Sequence, residues 1–528
     1  MNKAFKYIGL MGIAALFALN ACDDNIDPVI EELEYERIFT PLDLEARISN
    51  QTTVSLSWID NKGVDSYVLE ISDDSLEYSN IIHTAEILPE EIPYVYDLPA
   101  GDSQYSARVK GISSTNTDSK WATLAFKSLP ENLFNNYDIV MTGLGELTIS
   151  WTPGKAVTSL VFYTRAGVEV FSEDITAEEI AAGSKSLTDV ANGDYTIQLM
   201  NGVKTRGFQD YVLEGTVLID SGADLTAAIT AASPGDVIML QAGGQYGFIG
   251  DFTIDKSIKI KGLDGDLPVL YLTSGDRMFY VGSSLTPSDS LVFEKLHMNG
   301  YVDYIDGGSQ IRGVFDMESE ACNIGAVKFL SCELRNMGRQ VMRLRGGSDQ
   351  YVGEFVIDDC IINDLGRSSG SYGVFCATET NTNAGVVKIT NSTLSNFVCH
   401  FIRYDDATLG KSIIVEDCTF NKVPFASGRY LMDVRNAVLS EGIEVTNCIF
   451  GNTSYGDEPS ISGIRAADGV TVSVSNSFAT TDFVNSGYSI VEMCSSTGGT
   501  STELWVNPDN EDFSFITEGI EAGDPRWY

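Results

Sequence analysis

Histidine occurs three times in 528 residues, and positive charge is nearly as sparse: 34 lysines and arginines stand against 74 aspartates and glutamates. The resulting formal net charge of −40 excludes nucleic acid as a partner, since two polyanions repel, and it excludes binding to an anionic membrane surface for the same reason. An anionic polysaccharide meets the same repulsion unless the few basic residues are gathered locally. Beyond Leu19 no apolar run reaches the roughly 20 residues that a spanning helix needs, so any hold on a membrane falls to the N terminus. Neither a Cys-x-x-Cys pair nor a His–Cys cluster is present, which removes the usual spacing of a metal site. What is present is a hydrophobic content of 43%, enough to fill several cores, in a chain long enough for about three domains.

Met1 to Ala21 reads as a signal peptide, with Lys3 and Lys6 ahead of an apolar core from Ile8 to Leu19. It ends in Leu19-Asn20-Ala21-Cys22, which resembles the bacterial lipobox, where cleavage exposes a cysteine that carries lipid. The resemblance implies lipidation at Cys22 and contact with the membrane through that lipid anchor alone. The acidic run Asp23-Asp24-Asn25-Ile26-Asp27 resembles the sorting tail of surface lipoproteins in glycan-foraging Gram-negative bacteria. That implies an outer-membrane anchor with the chain facing the cell surface. Residues 22–37, acidic and without apolar period, read as a linker.

From Thr40 the pattern turns to short alternating strands. Val54, Leu56 and Trp58 share one face at period two, Tyr67 to Ile71 follow, and a strand opens at Tyr105 after the turn Leu98-Pro99-Ala100-Gly101. An early Trp strand, a later Tyr-led strand and a closing Trp121 resemble the fibronectin type III domain over residues 38–130. Trp58 and Tyr105 are then core residues. Leu147 to Trp151 and Gly193 to Leu199 repeat the theme, so residues 131–215 read as a second immunoglobulin-like sandwich.

Residues 216–528 carry a different signature. A short amphipathic helix at Asp224 to Ala232 leads through Ser233-Pro234-Gly235-Asp236 into strands. Six segments then line up, ending at Cys332, Cys360, Ser392, Cys418, Cys448 and Ser477, at intervals of 26 to 32 residues. Each begins with apolar residues at period two, bends at Ser, Asp or Asn, and is followed two positions later by an apolar site: Leu334, Ile362, Leu394, Phe420, Phe450 and Ala479. Leu291 to Leu296 is a degenerate earlier copy. A repeat of this length stacks like residues on like, one coil above the next. The helix followed by stacked strands resembles the pectate-lyase-like right-handed parallel β-helix. The expected fold is therefore all-β: a parallel β-helix preceded by two sandwiches. Its cysteines form an inward ladder of small apolar groups rather than disulfides. The helix near Ala227 is expected to shield one end of the solenoid and the aromatic tail Gly523 to Tyr528 the other.

Between the ladder strands runs a second recurrent strand: Arg343 and Arg345, then Phe375-Cys376, then His400 to Asp405, then Asp433 and Arg435, then Arg465. With Leu344, Ile402, Met432 and Ile464 turned inward, the charged residues point out on neighbouring coils. Arginine grips carboxylate forks bidentately, so Arg343, Arg345, Asp405, Asp433, Arg435 and Arg465 are candidate contacts for a uronate-containing polysaccharide. Tyr404, Phe401, Tyr430 and Tyr372 would meet sugar rings. The competing reading is an Arg–Asp ladder that only holds the coils in register.

For catalysis, the polygalacturonase motifs are missing: Asp405-Asp406 is a lone pair and Asn381-Thr382-Asn383 lacks the acid that hydrolysis requires. A lyase needs a base and a cation that neutralises the uronate carboxyl. The β-helical chondroitin and alginate lyases, which this chain resembles in fold, use a lysine and an arginine with calcium as cofactor; lysine is nearly absent from the exposed strand here, which leaves Arg403 as the candidate cation and His400, the sole imidazole beside the arginine column, as the candidate base. Three functions stay open: binding of an acidic polysaccharide, eliminative cleavage of one, and a non-catalytic adhesin or scaffold.

Overall fold

The computed structural model describes residues 36–134, 138–317, 320–405, 409–455, 458–459, 461–517 and 519–528. The signal segment, Cys22, nearly all of the 22–37 linker, and Asp406 lie outside the described residues. The chain forms two compact units: one holds the residues up to Leu133 with Ala156–Val161 and Gln198–Phe208, the other Phe134–Lys155, Phe162–Ile197 and Gln209–Tyr528.

The first sandwich pairs a three-stranded sheet (Leu42–Ser49, Thr53–Ile59, Tyr94–Asp97) with a four-stranded one (Ile81–Ile87, Ser66–Ser72, Gln104–Ile112, Ala122–Lys127). Alternation explains its core: Val54, Leu56 and Trp58 from one sheet meet Tyr67, Leu69, Ile71, Tyr105, Ala107 and Val109 from the other. The Tyr105 hydroxyl donates to the Ala100 carbonyl five residues upstream at 3.0 Å and accepts from the Ala100 N–H. This tyrosine corner pins the turn ahead of its strand. Glu131 and Arg206 form a buried bidentate pair at 2.8 and 3.0 Å in the same unit. Strands of residues 138–213 repeat the three-plus-four arrangement. There Tyr195 bonds back to the Ala191 carbonyl at 2.8 Å, the same corner again.

The rest is a parallel β-solenoid of about eight turns, built from parallel sheets of ten, ten and eight strands. The first sheet takes in Cys322–Leu330, Gln350–Asp358, Thr382–Thr390, Leu409–Glu416, Val438–Thr446 and Val472–Ser475; the second and third follow it in each coil. Register matches the sequence repeat: Leu291, Val327, Phe355, Val387, Ile413, Ile443 and Val472 are successive partners. So are Leu334, Ile362, Leu394, Phe420, Phe450 and Ala479 in the second sheet.

The bend between these sheets is a left-handed residue. Lys295, Ser331, Asp359, Asn391, Asp417, Asn447 and Asn476 have φ between 45° and 56°, a region that Asn and Asp tolerate best among side-chain-bearing residues. The residue after each bend turns inward. The Cys332, Cys360, Cys418 and Cys448 thiols each donate to the carbonyl two residues back, at 3.2 to 3.3 Å. Cys332 N–H donates to the Cys360 sulfur and Cys360 N–H to the Ser392 hydroxyl. The ladder is thus a hydrogen-bonded column of free, buried thiols and hydroxyls.

At the N-terminal end, Leu225 and Ile229 of the helix Leu225–Ala231 cover the first coil, and Asp224 caps the helix by accepting from Ala227 N–H. The C-terminal tail does not mirror this. Rather than closing the far end, it runs back along the outer face of the second sheet. The Trp527 indole donates to Thr393 at 2.7 Å, Asp524 accepts from Thr393, and Arg526 pairs with Asp359. Trp505 and Phe513 bury themselves against Ile449. A face of small residues, Thr393, Ser395, Thr419 and Asn421, is flat enough to receive the tail.

Candidate functional site

The second sheet is covered over these coils by the tail, and the first presents mixed Lys and Glu pairs such as Lys328–Glu354 and Lys411–Glu441. The third sheet is different. Its strands Arg277–Val281, Gly313–Met317, Gln340–Leu344, Phe375–Ala377, Ile402–Arg403, Arg429–Val434 and Ile461–Ala466 bury Phe279, Phe315, Met342, Phe375, Ile402, Met432 and Ile464. Alternation then aims the neighbouring residues outward. Tyr280, Asp316, Arg343, Cys376, Arg403, Asp433 and Arg465 form one column in register.

Most charges in this column are already matched. Arg465 clasps Asp433 bidentately at 2.9 and 2.6 Å, and its guanidinium lies 4.1 Å from the Tyr430 ring centre. Asp405 is shared: Arg403 reaches it at 2.9 Å and Arg435 at 3.0 Å. Asp316, almost wholly buried, is held by Arg277 at 3.0 Å and by Gln340 at 2.6 Å. Burial pushes its carboxyl above the usual range, against the pull of the Arg277 and Arg343 charges. Arg345 reaches the Tyr280 hydroxyl at 3.3 Å.

Arg343, Arg339 and Arg429 differ. None has an ion-pair partner among the described residues, and the Nε of each is sealed from water without an acceptor. Arg343 and Arg339 lie over the Tyr372 ring, at 5.2 and 5.3 Å from its centre.

A second column runs beside the first, made of rings. His400 N–H donates to the Tyr372 carbonyl, and Tyr430 N–H donates to His400 Nδ1 at 3.1 Å. The His400 and Tyr430 rings are parallel at 5.8 Å, and Tyr488 adjoins Tyr430 at 6.2 Å.

Two expected roles need correction. Tyr404 is a core residue: it is 1% exposed, and its hydroxyl donates to the Leu409 carbonyl and accepts from Ala384 N–H. Phe401 is likewise fully buried, so neither ring can meet a sugar. Tyr404 lies two residues after the inward Ile402, so alternation itself turns it into the core, whereas Phe401 precedes the two-residue strand Ile402–Arg403, where period two no longer applies.

The pairing of His400 and Arg403 as base and cation also fails on geometry. His400 Nδ1 is occupied as an acceptor, which leaves the ring proton on Nε2, and burial with the nearby Arg403 charge pulls its pKa down to about 4. The Arg403 fork closes on Asp405. Among the described residues, no group of three or more His, Cys, Asp or Glu side chains is gathered as a metal site would need.

Sequence reasoning missed Arg277, Arg339, Arg429, Tyr280 and Tyr488. A signal existed for one of them: Arg429 lies four residues before Asp433 in the same strand, Arg429–Val434. An even offset returns a side chain to the same face.

A family described as a domain of unknown function (DUF5123) matches residues 413–527, the last coils together with the tail that packs on them. No curated protein matches. Among solved structures, a two-domain fibronectin type III segment from chicken tenascin aligns at 20% identity and a TM-score of 0.21, covering 33% of this chain and 98% of that one. The FN1–FN3 domains of chicken CNTN1 align at 17% identity and a TM-score of 0.15, covering 33% and 66%. By its own strand order the chain is two β-sandwiches followed by a parallel β-solenoid.

Proposed function

We propose that the chain is a glycan-binding protein, lipid-anchored through Cys22 at the outer surface of a bacterial outer membrane, whose solenoid holds an acidic polysaccharide along the third sheet. One observation carries this reading. In a molecule of net charge −40, arginines collect on one sheet face beside a column of tyrosines, and three of them have no ion-pair partner among the described residues. Local cation excess overcomes the general repulsion, and rings beside guanidiniums suit sugar faces. A pectate-lyase-like ancestry would fit a binder that has kept the scaffold and not the chemistry, because His400 and Arg403 are committed to internal partners.

Affinity electrophoresis against a panel of neutral and acidic polysaccharides tests it. Retardation by acidic polymers is expected, weakening steeply with salt and without any rise in ultraviolet absorbance from unsaturated products. Release of such products would replace binding with eliminative cleavage. Failure of every polysaccharide to retard the protein would sink the proposal in favour of an adhesin or scaffold.

A further inference from the structure

Loop 367–373 crosses the outer face of the third sheet, and four guanidiniums surround three of its residues. Arg403 donates to the Ser371 carbonyl at 2.5 Å. Arg339 and Arg343 lie over Tyr372. Arg429 packs against Gly370 so closely that a β-carbon there would sit 2.7 Å from its Nε, so a larger residue would displace the arginine. Ser368 and His400 tie the loop down, through the Gly338 carbonyl and the Tyr372 carbonyl. Among the described residues, Arg403 alone of the four pairs with a carboxylate, Asp405.

We propose that this cluster is a site for a sulfate ester, so that the acidic polymer is a sulfated glycan; the inference rests on the glycan-binding reading for its polymer but not for its anion. The argument is one of shape. A carboxylate offers two coplanar oxygens and fits a single guanidinium fork. The chain fills such positions itself, with Asp433 on Arg465 and Asp405 on Arg403. Arg339 and Arg343 approach from one coil and Arg429 from another, with the loop between them. Guanidiniums reaching in from different coils approach from more than one side, and an anion with a tripod of terminal oxygens can meet several at once. Among the described residues these three guanidiniums have no ion-pair partner, and an oxyanion supplies the counter-charge they lack. All three arginines keep part of their surface in solvent, so the site is reachable. Tyr430 and the exposed Tyr488 extend from it as a platform for the sugar that carries the ester. A phosphate ester shares the tripod and differs in charge, so the experiment includes it.

The whole chain is assayed with chondroitin sulfate, its chemically desulfated product and polygalacturonate by affinity electrophoresis, and with inorganic sulfate and inorganic phosphate by thermal shift. Binding of the sulfated polymer at least about tenfold tighter than the desulfated one is expected. Arg343→Ala and Arg339→Ala should each weaken it by about tenfold, the scale of one lost charge-assisted hydrogen bond. Arg343→Lys, which keeps charge and loses the fork, should recover only part of this. Lys411→Ala on the first sheet should change nothing. Because sulfate stabilises many proteins by exclusion, the informative quantity is stabilisation lost in the folded Arg343→Ala and Arg339→Ala variants. Equal binding of all three polymers would overturn the sulfate site and leave the glycan reading standing. Sulfate-dependent stabilisation that needs Arg343, with no polymer bound, would support the site and overturn the glycan reading. Stronger protection by phosphate, or indifference to both alanine variants, would overturn the sulfate assignment.

Discussion

His400 stays neutral where an exposed imidazole would begin to charge, because burial and the neighbouring Arg403 both oppose a second ring proton. The unfolded chain therefore takes up that proton first, with a pKa near 6.5, and the folded one only near 4. Stability linked to this residue is complete above about pH 6.5 and falls as pH drops toward 4, by about 3 kcal/mol at 1.36 kcal/mol per pH unit. Carboxylates titrate in the same range, so the test is a difference. Denaturant unfolding of His400→Asn should lose about that much less than the parent between pH 6.5 and 4, and identical profiles would refute the assignment. The ladder thiols make a second residue-scale case: burial pushes Cys360 and Cys418 far above the ordinary thiol range. With the reactive thiolate suppressed, Cys360 and Cys418 should resist iodoacetamide at neutral pH in the folded protein and label only on unfolding, as mass spectrometry would show. Such inwardness was legible from the repeat because each cysteine follows a bend residue at fixed offset. Tyr404 was misread against the alternation itself, since it lies two residues after the inward Ile402, while Phe401 precedes a two-residue strand, where a neighbour's direction says little.

Among the elements, the solenoid strands were legible because every coil repeats the same apolar offsets, which fixes both face and register. The two sandwiches were legible for a related reason, since a tryptophan strand and a tyrosine-led strand recur in order. The C-terminal segment was not. Its apolar residues, Trp505, Phe513, Ala522 and Trp527, follow no period, and nothing in them reveals that their partner is the outer face of a sheet formed by strands as far back as Thr393, 134 residues before Trp527. Pairing of charges was equally hidden. Alternation shows that Arg403, Asp433 and Arg465 face outward, but not that Arg465 would take Asp433 and leave Arg403 to Asp405. Trp505 is 1% exposed, so Trp505→Ala should cost about 3–5 kcal/mol of tail docking. Hydrogen exchange should then accelerate around Ile449 and Thr393 while the helix-capped first coils remain protected. Unchanged exchange there would mean that the segment adds no stability to the sheet.

For the molecule as a whole, an array of coils is held together chiefly by contacts between neighbours, and such arrays usually fray from a free end one repeat at a time. Here the tail acts as a splint. Its attachments reach Arg335 through Glu511, Asp359 through Arg526, Thr393 through Trp527, Thr419 through Asp524 and Ile449 through Trp505, one on each of five consecutive coils. Peeling away the last coil therefore means breaking bonds made to coils well inside the stack. Coupling that would otherwise die out over one neighbour is carried across half the solenoid, and the face bearing the arginines is stiffened from behind by a strip of chain that never touches it.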